Sequence, residues 1–229
     1  PPFEVFGRLP DRVPSLVGNG QSKKEAHQLE SCTIRSMTLL TIKDLQKKYR
    51  QRGHTESSTS SVLVPHGRGR SRRRVFDIFL SHSGLSDTEA AWVVAEINAA
   101  GRRVCVDPAA GPRCRDNPEY WDTATDLLAS SRCLLYAARS EDDSCDRFLW
   151  LSGYFEARTQ RVAVLPVFAR DTATVKFHGK GILGRYPYAG FADDVTDHEP
   201  TVWILKTPRV YVNIEYWLSP HFPGFDRDR

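Results

Sequence analysis

A three-layer α/β/α domain built on a central parallel sheet of about five strands is the fold this sequence predicts, and three observations predict it. The runs Val75–Leu80 and Val162–Phe168 are apolar on both faces, as strands covered by helices on both sides are. From residue 75 onward such runs alternate with segments of helical period, so strand–helix units repeat. Turn formers such as Gly101 and Asp107-Pro108 fall between the segments and end them.

The elements follow in order. The first strand is Val75–Leu80, and Ser81-His82-Ser83 leaves its carboxyl end, the edge where open α/β sheets gather ligands. A helix over about Asp87–Ala100 turns Ala91, Val94, Ala95 and Ile97 inward. Strand two is Arg103–Val106, followed by a Gly/Pro-rich loop over Ala109–Pro118. A helix over about Tyr120–Ser130 leads to strand three, Cys133–Ala137, and a helix over about Phe148–Ala157 leads to strand four, Val162–Phe168. A loop with Gly179, Gly181 and Gly184 precedes a last strand near Val202–Leu205 and a helix near Val210–Leu218. The three glycines sit beside Lys180 and Arg185, but no helix start follows them, so they read as turn formers and not as an anion cradle.

Ahead of the domain, residues 1–36 show no sustained period and read as a leader outside the fold. Met37 is the only methionine. It marks a natural start, with a processed or trimmed amino terminus as the alternative. Residues 37–74 hold a short helix, in which Ile42, Leu45 and Tyr49 share a face behind a Thr41 cap, and then a Ser/Arg-rich basic linker. The domain covers 75–218, and residues 219–229 form a tail.

Charge is unevenly spread. Residues 1–74 carry 15 Lys/Arg against 6 Asp/Glu, the remainder 17 against 22, and the whole chain is +4. The Arg run at 67–74 could grip phosphates, but it lacks interleaved aromatics for base stacking and reads as a solvated linker; nucleic acid is not the expected partner. Five cysteines without a CxxC pair fit a reducing compartment. No apolar stretch approaches the ~20 residues a membrane span needs, and residues 1–36 lack the apolar region of a signal peptide, so the expected location is cytoplasmic. No phosphate-loop, HExxH or Cys/His cluster occurs, and neither a metal nor a resident cofactor is expected. His82 has no carboxylate partner near it in sequence and reads as a polar turn residue.

The order of these phrases resembles that of Toll/interleukin-receptor (TIR) domains. Phe76-Asp-Ile-Phe-Leu-Ser-His-Ser83 is similar to their opening strand and Gly101-Arg-Arg-Val-Cys-Val-Asp107 to their second. Thr123-Ala124 with Leu127-Leu128, Leu134-Leu135-Tyr136, Val162-Ala-Val-Leu-Pro166 and Arg185-Tyr-Pro-Tyr188 match, in order, phrases of small bacterial stand-alone TIR proteins. The resemblance covers about residues 75–218. It implies a flavodoxin-like fold and innate-immunity-type signalling, in bacteria usually defence against phage. Its partners would be other TIR domains or further copies of the chain. It further implies cleavage of NAD at the nicotinamide bond in many members, with NAD a substrate or ligand. The loop carrying Pro108, Gly111, Arg113 and Arg115 corresponds to the one such domains use for self-association and for gating the pocket.

In that family a Glu four residues after a Trp, on the helix before strand four, supplies the carboxylate that steadies an oxocarbenium-like transition state. Aligning Trp150 and Gly153-Tyr154 with the family's phrase sets Arg147 at a Trp position and Leu151 at the Glu. Leucine cannot replace a carboxylate. Glu156, the only acid on the helix as read over 148–157, lies about 7.5 Å along the axis and about 140° around it from Leu151. Two readings stand. One is a self-associating protein that holds a nucleotide through Ser81, His82, Ser83, Asp107 and Trp150 with weak or absent cleavage; the other is an active glycohydrolase or cyclase using Glu156. Trp150 itself reads as core packing rather than a stacking platform.

Overall fold

The computed structural model describes residues 39–53, 75–108, 118–139, 146–169, 177–193 and 199–225, with the side chains of 118–123 excepted. The leader 1–36, the Arg run 67–74 and the loop residues Gly111, Arg113 and Arg115 lie outside the described residues.

The expected parallel sheet is present. Strands β2 (Phe76–His82), β3 (Val104–Val106), β4 (Ser131–Ala138), β5 (Val162–Phe168) and β6 (Tyr188–Asp193) run parallel in the order β3-β2-β4-β5-β6. A short strand β1 (Leu40–Thr41) pairs with the far end of β5, Leu40 opposite Val167. Helices α2 (Asp87–Ala99), α3 (Pro118–Ala129) and α4 (Asp146–Arg158) are the crossovers. The arrangement is flavodoxin-like α/β.

Three expectations at the carboxyl end are corrected. The fifth parallel strand is β6, which sequence reading left inside a loop. The strand expected near Val202–Leu205 is β7 (Pro200–Thr207), and it runs antiparallel to β6. The helix expected over Val210–Leu218 is split into β8 (Val210–Asn213) and a single turn α5 (Ile214–Leu218), divided by the Asn213 cap, whose side chain accepts from the Tyr216 amide. An amphipathic period over so few residues fits a strand or a helix equally, and pairing with β7 decides it.

Gly179 and Gly184 earn their identity by close approach. A Cβ on Gly179 would lie 2.8 Å from the Leu183 carbonyl carbon, and one on Gly184 would collide with the Gly179 oxygen. The turn holds Leu183 fully buried where the chain enters β6.

Two apolar layers flank the sheet. Alternation along the strands sends Phe79, Cys105, Leu134, Tyr136 and Val164 toward α4, where they meet Phe148, Leu151 and Phe155. Ile78, Leu80, Leu135 and Leu165 face the other way, against Val93 and Ile97 of α2 and Trp217 of α5. Helix α1 (Ile42–Gln51) joins this second layer through Leu45 and Tyr49. The Thr41 hydroxyl caps it by accepting from the Asp44 amide, as the sequence predicts. The buried Glu96 carboxylate of α2 ties it down, accepting from Lys48 at 2.5 Å and Arg52 at 2.6 Å.

Burial also sets the chemistry of two thiols. It pushes Cys105 up to about 12, and it raises Cys133 further still. At pH 8 the thiolate fraction of Cys105 is then about one in ten thousand, against about one in four for a free cysteine. Iodoacetamide applied to the native protein at pH 8 is expected to leave both peptides unmodified by mass spectrometry and to modify both after denaturation. Native-state labelling of either thiol would contradict their burial.

Candidate functional site

The site is built at the carboxyl edge of β2 and β3, where the two strands place side chains opposite each other. Leu80 pairs with Val106, and the Asp107 amide donates to the Leu80 carbonyl at 2.7 Å, so the ladder carries one residue beyond β3. Ser81 and Asp107 therefore stand side by side on the α4 face, and the Ser81 hydroxyl donates to Asp107 Oδ2 at 2.9 Å. Both are buried.

Arg147, in the first turn of α4, completes the cluster. Its Nε donates to Asp107 Oδ2 at 2.9 Å and its Nη2 to Oδ1 at 2.7 Å, a two-pronged clamp on a carboxylate with no exposed surface. The same guanidinium lies 5.4 Å from the centre of the Trp150 ring. Sequence reading named Asp107 but treated Arg147 only as an aligned position. A signal was there to find. A cation in the first turn of a helix opposes the helix dipole, so an Arg there needs an anion outside its own helix.

The remaining expected residues are dispersed. Ser81 and His82 belong to β2 itself, paired with Tyr136 and Ala137, and do not form a turn as expected. Alternation therefore sends buried His82 to the face opposite Ser81. Ser83 is the first residue past the strand, and its hydroxyl accepts from the Tyr136 hydroxyl at 2.8 Å. Arg139 donates to the Gly84 carbonyl at 2.9 Å and lies 3.5 Å from Glu89, closing the rim. Pro108 follows Asp107 directly and is partly buried. Trp150 is 48% exposed on the outer side of α4, stacked on Tyr154 at 6.1 Å, so the core-packing reading is corrected.

Position 151 and position 156 separate cleanly. Leu151 follows Arg147 by four residues, one turn deeper on the same side, and is fully buried among the aromatic residues under the sheet. Glu156 follows Arg147 by nine residues, about 13 Å along the axis. It lies at the end of α4 where Arg158 donates to the carbonyls of Leu128 and Ala129, just ahead of β4. That is the amino edge of the sheet. There Glu156 and Ser152 hydrogen-bond with Tyr186; burial, followed by the bond to Glu156, holds that phenol above its usual range. Helix α4 also begins two residues earlier than expected, which adds a second acid, the exposed Asp146, at its site end. Among the described residues no group of acids, histidines and cysteines could hold a metal ion, and no helix is long and apolar enough to cross a membrane.

No family model matches the chain. Over 194 residues it is 27% identical to the probable 3' cyclic ADP-D-ribose synthase ThsB' of Bacillus cereus (strain MSX-D12), an alignment covering 80% of this chain and 99% of that protein. The resemblance to TIR domains read in the sequence is supported by this relative. In this protein the carboxyl edge thus presents a serine, a clamped aspartate and an arginine. Leu151, one turn beyond Arg147, is aliphatic and faces the core.

Proposed function

We propose that the protein is a TIR signalling protein of the antiphage-defence type that binds an NAD-type nucleotide at the carboxyl edge of its sheet and acts by association with further copies, with nicotinamide cleavage weak or absent. One observation carries the reading. Among the described residues the carboxylate buried at that edge is Asp107, and both of its oxygens are committed to Arg147 and Ser81. A carboxylate neutralised in this way is poorly placed to orient a ribose hydroxyl or to stabilise positive charge building at the anomeric carbon. Leu151 offers nothing in its place. The polar rim still suits binding, with Ser83, held by the hydroxyl of buried Tyr136, and the Arg139 guanidinium at the mouth.

Incubating the purified full chain with NAD and separating the products is the direct test. Saturable NAD binding by calorimetry is expected, without nicotinamide release above the buffer control. Rapid release would overturn the reading.

The name of the Bacillus cereus relative supports a second reading, in which the protein makes a cyclic ADP-ribose from NAD. With Glu156 as the catalytic acid, Glu156→Gln would abolish product formation. The rise of about 13 Å along α4 between Arg147 and Glu156 counts against that assignment, and unchanged turnover in the variant would remove it.

A further inference from the structure

The amino edge of the sheet, opposite the nucleotide site, is entered through arginines. In a parallel sheet every crossover returns the chain to this edge, so the residues just ahead of each strand stand there. Arg103 precedes β3, Arg132 is the second residue of β4, Arg161 precedes β5 and Arg185 lies three residues ahead of β6. Arg158, the last residue of α4, adds a fifth. From β3 to β6 is four strand spacings in the order of the sheet, so at about 4.8 Å each the row is roughly 19 Å long.

Capping of chain ends explains the hydrogen bonds of this row but not its charge. Arg158 donates to the Leu128 and Ala129 carbonyls, Arg161 to those of Ser219 and Phe222, and Arg132 to that of Leu218. A carbonyl satisfies a guanidinium's hydrogens without cancelling its charge. Arg158 and Arg161 make no ion pair with a described residue, and exposed Arg185 makes neither an ion pair nor a hydrogen bond with one. The acids of this edge are largely spent. Asp77 is shared between Arg132 at 3.4 Å and Arg103 at 3.9 Å, Glu215 lies 3.6 Å from Arg102, and Glu156 is bonded to Tyr186; Asp126 stands exposed near the end of α3. The row keeps an excess of positive charge, on side chains that the carbonyls already hold in order.

We propose that this arginine row binds the phosphate backbone of a nucleic-acid duplex without reading its sequence. A guanidinium's planar fork of donors fits phosphate oxygens two at a time. Each strand of a duplex presents a phosphate about every 3.4 Å, so a row of roughly 19 Å faces about five of them. Charge laid out in a line matches a linear polyanion better than the plane of a lipid surface. The row carries no exposed aromatic side chain on which unpaired bases would stack, which favours a duplex over a single strand. Nucleic acid was set aside above on the Arg run at 67–74; the edge of the sheet is a different surface, one that only the fold assembles. Neither the row nor its partner depends on the nucleotide reading, which concerns the other edge.

Fluorescence anisotropy of a short labelled DNA duplex titrated with the full chain tests it. Binding is expected at low salt, with the logarithm of the affinity falling against that of salt at a slope of about −4. Arg103→Glu combined with Arg185→Glu reverses two exposed charges whose side chains hold no carbonyl. The pair should weaken binding at least tenfold and flatten the slope by about two, with the melting temperature and NAD binding as in wild type. Arg103→Gln with Arg185→Gln is the milder form should the reversal disturb folding, and it should flatten the slope as much. Lys47→Glu, beside Leu40 and Phe191 toward the carboxyl edge, should change the affinity less than about twofold. A wild type that leaves the duplex unbound at low salt overturns the proposal. So does a double variant that binds as tightly as wild type; loss of binding on deleting residues 67–74 would then assign it to the Arg run. Capture by phosphatidylserine vesicles without binding to the duplex would overturn it in favour of a lipid surface.

Discussion

Arg147→Met is expected to destabilise the protein by about 3–5 kcal/mol, read as a drop in the guanidinium midpoint at unchanged slope. Methionine keeps most of the aliphatic stem, so the loss reports the guanidinium and not a cavity. The large figure follows from an asymmetry. Asp107 has no exposed surface, and Ser81 alone cannot satisfy an ionised carboxylate. Removing one member of a buried pair leaves the other desolvated and unpaired, whereas removing both is far milder. Arg147→Met combined with Asp107→Asn should therefore recover a good part of the loss, giving a coupling of about 1–3 kcal/mol in a double-mutant cycle. A single variant within about 0.5 kcal/mol of wild type would mean that the clamp does not hold in solution.

Leu151→Glu places a carboxylate at the position that the sequence reading set against the family's Glu, and it should fail to confer nicotinamide release. Leu151 is fully buried beneath Arg147 in the layer formed with Phe148, Phe155 and Tyr136. A carboxylate placed there loses its hydration, and Arg147 is already engaged with Asp107. The expected cost is roughly 3–5 kcal/mol, smaller at low pH where the acid is neutral. The sign follows from desolvation. Burial raises the folded-state pKa of the new acid above its unfolded value, so the unfolded state is favoured increasingly as pH rises through the unfolded value and the destabilisation becomes complete above the folded value. Thermal melts at pH 4 and pH 8 check this, the gap between variant and wild type being wider at pH 8. A Leu151→Glu protein with wild-type stability that releases nicotinamide from NAD would show that position 151 faces the ligand and not the core.

Both expectations come from where α4 sits, and the sequence showed that helix only in part. Its inward period was readable in Phe148, Leu151 and Phe155. Its start was not. Asp146 and Arg147 are polar residues, and nothing in their own spacing says that one faces outward while the other reaches across to a different strand. That assignment depends on Asp107, forty positions earlier.

The apolar strands, their alternation with helices, the Thr41 cap and the order of family phrases are local properties, written in neighbouring residues and in hydrophobic period. They determined the fold class and the edge at which a ligand would lie. Pairing determined the rest. The divided segment 210–218 became strand and helix because β7 offered an edge, and β6 became the fifth parallel strand because β5 offered another. His82 left the site because β2 continued two residues further than its apolar run, and a period of two reverses a side chain at each step. The clamp on Asp107 belongs to the same class, since a charge buried at one strand end can be stabilised only by a group that tertiary packing delivers to it.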